Sequence, residues 1–183
     1  MMRRRRTWAL GLGAALGAAG VYAPDAHADP RVRGGFSLNG GYFGAASSAD
    51  SAPGAAISLA GRVGVQIGDV FGLYYQNTPM GWILFEGPTF VGGSDYNSVL
   101  ADFTIGDILG LGIGPSLDLI SGGVLRASGG LVEPGAHGRV ALLLGSTGMD
   151  RRQAFAIGID PHVMYFNQGV LVSLTAGIGA EWY

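Results

Sequence analysis

The last fourteen residues, Val170 to Tyr183, constrain the fold most. Val170, Val172, Leu174, Ala176, Ile178, Ala180 and Trp182 form an unbroken apolar series at period two. Leu171, Ser173, Thr175, Gly177, Gly179 and Glu181 lie between them and are mostly small or polar. An α-helix turns every 3.6 residues and would smear this pattern around its circumference. A β-strand sends alternate side chains to opposite faces and keeps it, giving one apolar face and one wet face.

The amino-terminal end says where such a strand could work. Arg3-Arg4-Arg5-Arg6 precedes an apolar stretch from Trp8 to Tyr22 and the small-x-small sequence Ala26-His27-Ala28. A basic head, a short apolar body and such a site describe a secretory signal peptide, residues 1–28, cleaved to leave a chain beginning at Asp29. The apolar stretch is short of the ~20 residues a membrane-spanning helix needs. Residues 29–183 hold seven arginines against twelve acids, a net charge of −5, and the chain has no lysine. That balance argues against nucleic acid as a partner. Absence of cysteine excludes a disulfide scaffold and a cysteine metal site. Mean hydropathy is +0.33 with 13% charged residues, yet after residue 28 no apolar run is long enough for a helical span. High hydropathy hidden by alternation is the signature of a lipid-facing β-barrel.

The segment Ile67-Gly68-Asp69-Val70-Phe71-Gly72-Leu73 recurs as Ile105-Gly106-Asp107-Ile108-Leu109-Gly110-Leu111. Each Gly-Asp pair lies between strand-like runs and predicts a tight hairpin turn. Eight strands follow, at about 31–43, 57–67, 70–77, 96–105, 108–119, 137–145, 153–166 and 170–183. Long loops at 44–56, 78–95 and 120–136 are expected to alternate with short turns. One face collects Phe36, Leu38, Leu59, Val63, Leu73, Phe103, Ile113, Leu142, Ile157 and their like. The other collects Arg33, Asn39, Arg62, Gln66, Asp102, Asp118, Arg139, Asp160, His162 and Glu181. Ile113 is expected to face lipid and Gly114 the lumen. Aromatics near strand ends, including Tyr42, Phe43, Phe71, Tyr96, Phe155, Tyr165 and Trp182, read as interfacial girdles. The fold class is an eight-stranded antiparallel up-and-down transmembrane β-barrel, residues 29–183, behind a signal peptide.

On this pattern, and on the terminal strand above all, the chain resembles the small bacterial outer-membrane β-barrels of the OmpA and OmpX kind. The resemblance implies the outer membrane and its lipid as destination, with periplasmic chaperones and the barrel-assembly machinery as transient partners. It also implies that Leu174, Ile178, Trp182 and Tyr183 form the barrel-closing signal, although Tyr183 lies one residue beyond the apolar series. It implies no particular activity.

Chemistry is sparse. Arg33, Arg62, Arg139, Asp102, Asp118, Asp160, His162 and Glu181 are expected to make a self-neutralising polar lumen, because unpaired buried charges are costlier than paired ones. His162 follows Asp160 on one face, but no local serine motif accompanies them, so a histidine bonded inside the polar core is the favoured reading over an acid–base pair. His137 is placed at a loop exit, in solvent. No metal spacing, phosphate loop or cofactor motif is present, and no catalytic residue is assigned. Trp82-Ile83-Leu84-Phe85 and Phe90-Val91, in the second loop, are expected to extend strands three and four or fold over the barrel mouth; an exposed patch for a partner or ligand and an extra strand are the other readings. The function expected is that of a porin-like cell-envelope barrel with a plugged lumen and a structural or surface-interaction role, and not an enzyme. The alternatives are a secreted lipocalin-like barrel binding an apolar ligand, with the faces reversed, and a lipid A-modifying outer-membrane enzyme.

Overall fold

A computed structural model describes residues 30–47, 51–85, 90–122, 131–146, 153–167 and 169–182. The proposed signal peptide and Tyr183 lie outside the described residues. Eight strands, β1 (Arg31–Ser47), β2 (Ser51–Ile67), β3 (Phe71–Leu84), β4 (Phe90–Ile105), β5 (Leu109–Gly122), β6 (Leu131–Ser146), β7 (Gln153–Phe166) and β8 (Gly169–Trp182), follow one another in chain order. Each pairs antiparallel with the next, and β8 pairs with β1, so the sheet closes into a barrel. Closure satisfies the backbone of every strand and removes the open edge, which is what a β-structure needs in lipid.

The repeated Gly-Asp segments are the turns at one rim. Gly106 and Asp107 both have positive φ, 57° and 60°, and Ile108 N donates to Ile105 O at 3.2 Å. Positive φ at both central residues makes a type I′ turn, whose twist suits adjoining strands. Gly68 likewise has φ 62°. This rim, called the turn rim here, also carries the start of β1 and the end of β8, since Gly34 pairs with Trp182.

Alternation sorts the side chains. Phe36, Leu38, Leu59, Val63, Leu73, Phe103, Ile113, Leu142 and Ile157 are exposed on the outer wall, while Arg33, Arg62, Asp102, Asp118, Arg139, Asp160, His162 and Glu181 are buried inside. An apolar outside and a charged inside are the reverse of a soluble barrel that stores an apolar ligand, so the lipocalin alternative fails on its faces. Phe36 against Trp182 (6.3 Å between ring centroids) and Phe71 against Phe103 (5.4 Å) set an aromatic belt on the outer wall near the turn rim.

The strands run further from the turn rim than their alternation predicts. Most of the expected loops at 44–56, 78–95 and 120–136 are strand, and the expected contrast of long and short connections largely disappears. Trp82 and Leu84 point inward and are almost wholly buried, and Ile83 and Phe85 face out. The segment therefore extends β3 rather than forming a surface patch. Phe43 and Tyr96 are also buried inside, so neither belongs to a lipid-facing girdle. His137 is a further correction. Because β6 begins at Leu131, His137 stands mid-strand on the inward face with Arg139 and is buried, not solvated.

Candidate functional site in the barrel lumen

Near the turn rim, β8 brings Glu181 among three guanidinium groups. Closure places β8 beside β1, and Gly35 opposite Glu181 leaves room for the carboxylate beside Arg33 and Arg62. Arg33 donates to Glu181 Oε2 through both Nη2 and Nε, the latter at 3.2 Å. Arg62 Nη1 donates to Glu181 Oε1 at 2.9 Å, and Arg139 Nη2 donates to the same oxygen. Asp102 on β4 lies 3.6 Å from Arg33 Nη1 and 3.7 Å from Arg139 Nη1. Neutral groups take other donors of the set, while Arg62 Nε is left without a hydrogen-bond partner. Arg33 Nη1 bonds Gln66 at 2.8 Å and Thr104 at 3.2 Å, and Arg62 Nη2 bonds Ser37 at 3.2 Å. Tyr74 donates to Gln66 Oε1 at 2.8 Å, and its ring lies 5.1 Å from the Arg33 guanidinium carbon. Asp160 is buried in the same lumen, with Oδ1 unpartnered. The arginines thus cross the lumen from β1, β2 and β6 to acids on β8 and β4, a set of charge-assisted bonds between strands far apart in sequence.

Further from the turn rim the charges give way to a histidine pair. His162 Nε2 lies 3.0 Å from Ser116 Oγ and 3.1 Å from Asp118 Oδ2, and its ring stacks on Tyr96 at 3.7 Å. His137 Nδ1 lies 2.8 Å from Ser98 Oγ, and the two imidazoles meet edge-on at 5.6 Å. Serine, histidine and aspartate are therefore neighbours, which the sequence did not signal beyond Ser116 and Asp118 being two apart on one strand. The arrangement is not a triad. A triad places the acid on one ring nitrogen and the nucleophile on the other, whereas Ser116 and Asp118 share Nε2 and leave Nδ1 unpartnered. The described residues hold no group of three or more metal-ligating side chains.

Beyond the histidines the lumen turns apolar. Phe43, Ala56, Met80, Trp82, Leu84, Tyr96, Ile120, Met164 and Leu171 form one buried cluster. Phe43 stacks on Trp82 with centroids 4.9 Å apart. Most of these residues stand nine to thirteen positions from the turn rim on their own strands, so they cross the far end of the lumen as a layer. Inside the barrel, polar packing near one rim thus passes through the histidines to apolar packing near the other.

No family model and no curated protein matches this chain. Among solved structures, the neisserial surface protein NspA is similar over 84% of this chain and 97% of its own, at 14% identity and a TM-score of 0.57. Ail, the attachment invasion locus protein of Yersinia pestis, matches at 14% identity over 81% of this chain and 98% of its own, with a TM-score of 0.44. The amino-terminal β-barrel domain of Pseudomonas aeruginosa OprF matches at 12% identity over 83% and 98%, with a TM-score of 0.38. At these identities the likeness to NspA establishes the fold: this chain has the architecture of a small bacterial outer-membrane barrel.

Proposed function

We propose that the chain is a non-enzymatic bacterial outer-membrane barrel with a plugged lumen and a structural or surface-interaction role. The observation that carries this reading is the Glu181 centre, where one carboxylate takes bonds from Arg33, Arg62 and Arg139 inside a wall whose outer face is apolar. Charges packed this way hold opposite strands together across a lumen that eight strands leave just wide enough to fill with side chains. The apolar layer around Phe43 and Trp82 adds a second obstruction at the far end. Both features favour a rigid plug over an ion path. The similar solved barrel NspA is, by its name, a surface protein, which accords with display at the cell surface.

In this reading residues 1–28 direct export and are removed, and residues 29–183 form the barrel. Periplasmic chaperones and the assembly machinery handle the chain in transit, reading Leu174, Ile178, Trp182 and Tyr183 as the closing signal. The far rim then faces outward, and surface contacts are made there. Single-channel recording of the purified barrel in planar bilayers tests the plug. The expected trace shows no steady conductance steps at moderate voltage. Reproducible open-state steps, abolished on enlarging a lumen residue such as Gly110 to leucine, would replace the plug with a pore.

A further inference from the structure

Three of the seams between strands are broken partway along, each at a proline. Pairing of β2 with β3 passes from Ser58–Met80 to Gly61–Asn77 and skips Pro79. Pairing of β4 with β5 skips Pro115 between Ser98–Ser116 and Ala101–Ile113. Pairing of β6 with β7 skips Pro161 between His137–His162 and Val140–Ile159. On its other side each proline stays in register, Pro79 with Asp95, Pro115 with Ala136 and Pro161 with Leu174. Proline has no N–H to give, so the rung that is lost is the one its nitrogen faces. The other five seams pair without a break over the described residues.

The three breaks divide the sheet into panels, β3–β4, β5–β6 and β7–β8–β1–β2. Each proline stands six or eight residues from the start of its strand. At a rise of about 3.3 Å per residue and a tilt of about 40°, that is about 15–20 Å from the turn rim, inside an apolar band ~25 Å tall. No water is present there to replace a missing rung. The β6–β7 break lies directly beside the histidine pair, and lumen side chains straddle it. On its turn-rim side Arg139 of β6 donates to Glu181 of β8. On its far side His162 of β7 reaches past β6 to Ser116 and Asp118 of β5, at 3.0 and 3.1 Å. On the outer wall the Pro161 ring covers Gly138, where an added Cβ would stand 3.1 Å from Pro161 Cγ.

We propose that the β6–β7 seam is a latched hinge in the barrel wall, with Pro161 as the point of opening and the contact of His162 with Ser116 and Asp118 as the latch. The backbone alone holds this seam less tightly than its neighbours, so the lumen side chains decide whether it stays shut. While the latch is closed, the panels stay together. When it releases, β7 parts locally from β6, and His137 and His162 are reached from the side of the barrel. The apolar layer at the far rim does not have to move.

The test is amide hydrogen exchange, followed by NMR on the folded barrel in detergent micelles. With the Pro161 nitrogen facing β6, the amides of Ile159 and Val163 form the neighbouring rungs of that seam, while those of Gly158 and Asp160 face β8. After correction for intrinsic rates, wild type should protect Ile159 and Val163 less than Gly158 and Asp160. Pro161→Ala restores the missing N–H and should raise protection of Ile159 and Val163 about three- to tenfold, the span of one backbone hydrogen bond. Ser116→Ala, a change on β5, should lower protection at the same two amides by about three- to tenfold and leave Gly158 and Asp160 unchanged. Circular dichroism establishes that each barrel has formed, and Pro161→Val makes the same test if the alanine variant does not fold. Equal protection on both sides of β7 in wild type, or no gain on restoring the N–H, would overturn the hinge. A Ser116→Ala barrel that loosens all four amides alike, or none of them, would overturn the latch.

Discussion

Replacing Glu181 with glutamine is expected to cost the barrel about 3–5 kcal/mol, the range found when one partner of a buried ion pair is removed. The side chain keeps its shape but gives up the charge that Arg33, Arg62 and Arg139 share. Asp102 cannot take over, because it lies at 3.6–3.7 Å from only two of them. Among the described residues, Asp102 would then be the one acid left within 4 Å of any of the three guanidinium groups, with Asp160 further away in the same lumen. Arg62→Gln should cost less, since Glu181 would keep Arg33 and Arg139. Urea titration of the refolded protein in lipid vesicles measures both. A Glu181→Gln midpoint at or above that of Arg62→Gln would show that the network is not centred on Glu181.

Ile113→Arg is expected to destabilise by about 2 kcal/mol. Ile113 is 68% exposed on the outer wall, and an arginine facing lipid costs ~2–4 kcal/mol at the midplane and less toward the edges. Four residues from the start of β5 place it about 10 Å along the axis, between those limits. Parity alone makes the neighbouring Gly114 a tolerant lumen position, and the geometry reverses that expectation. A Cβ at Gly114 would fall 1.8 Å from the carbonyl oxygen of Val99, a backbone atom that cannot move aside cheaply. Gly114→Ser should therefore destabilise as well, by about 1–3 kcal/mol as an overpacked site. The tolerant inward position is Gly112, where the nearest atom to an added Cβ is Asp102 Oδ2 at 3.3 Å, the end of a side chain that a serine hydroxyl can bond. In the same urea titration, Gly112→Ser should unfold close to wild type. A harmless Ile113→Arg beside a collapsed Gly112→Ser would mean that the faces are inverted.

How much of this was legible depended on contrast between the two faces. In β8 and β7 the alternation is clear enough that the sequence marks each span to within a residue. The Gly-Asp turns were legible because the repeat carries the residues that positive φ requires. Toward the far rim the inward face becomes apolar too, so Trp82-Ile83-Leu84-Phe85 reads as a continuous run with no strand period. The alanine-rich stretch from Gly44 to Ala56 has little contrast of any kind. The sequence does not place His137 for the same reason, since Gly135-Ala136 before it conceals where β6 begins. Which charges face inward follows from parity within one strand. That Glu181 is the centre of three arginines does not, because it depends on the stagger that brings β8 against β1. The pairing of His162 with Ser116 and Asp118 likewise arises from register between strands, as does the Gly114 clash.

Contact between the outer wall of this barrel and lipid can be measured directly. The chain has no cysteine, so Ile113→Cys provides a single thiol for a nitroxide label in the vesicle-reconstituted protein. Spin relaxation by oxygen, which concentrates in hydrocarbon, is compared with relaxation by a water-soluble nickel complex. A lipid-facing label at this site is expected to relax strongly with oxygen and almost not at all with nickel. Dominant relaxation by nickel would contradict lipid contact.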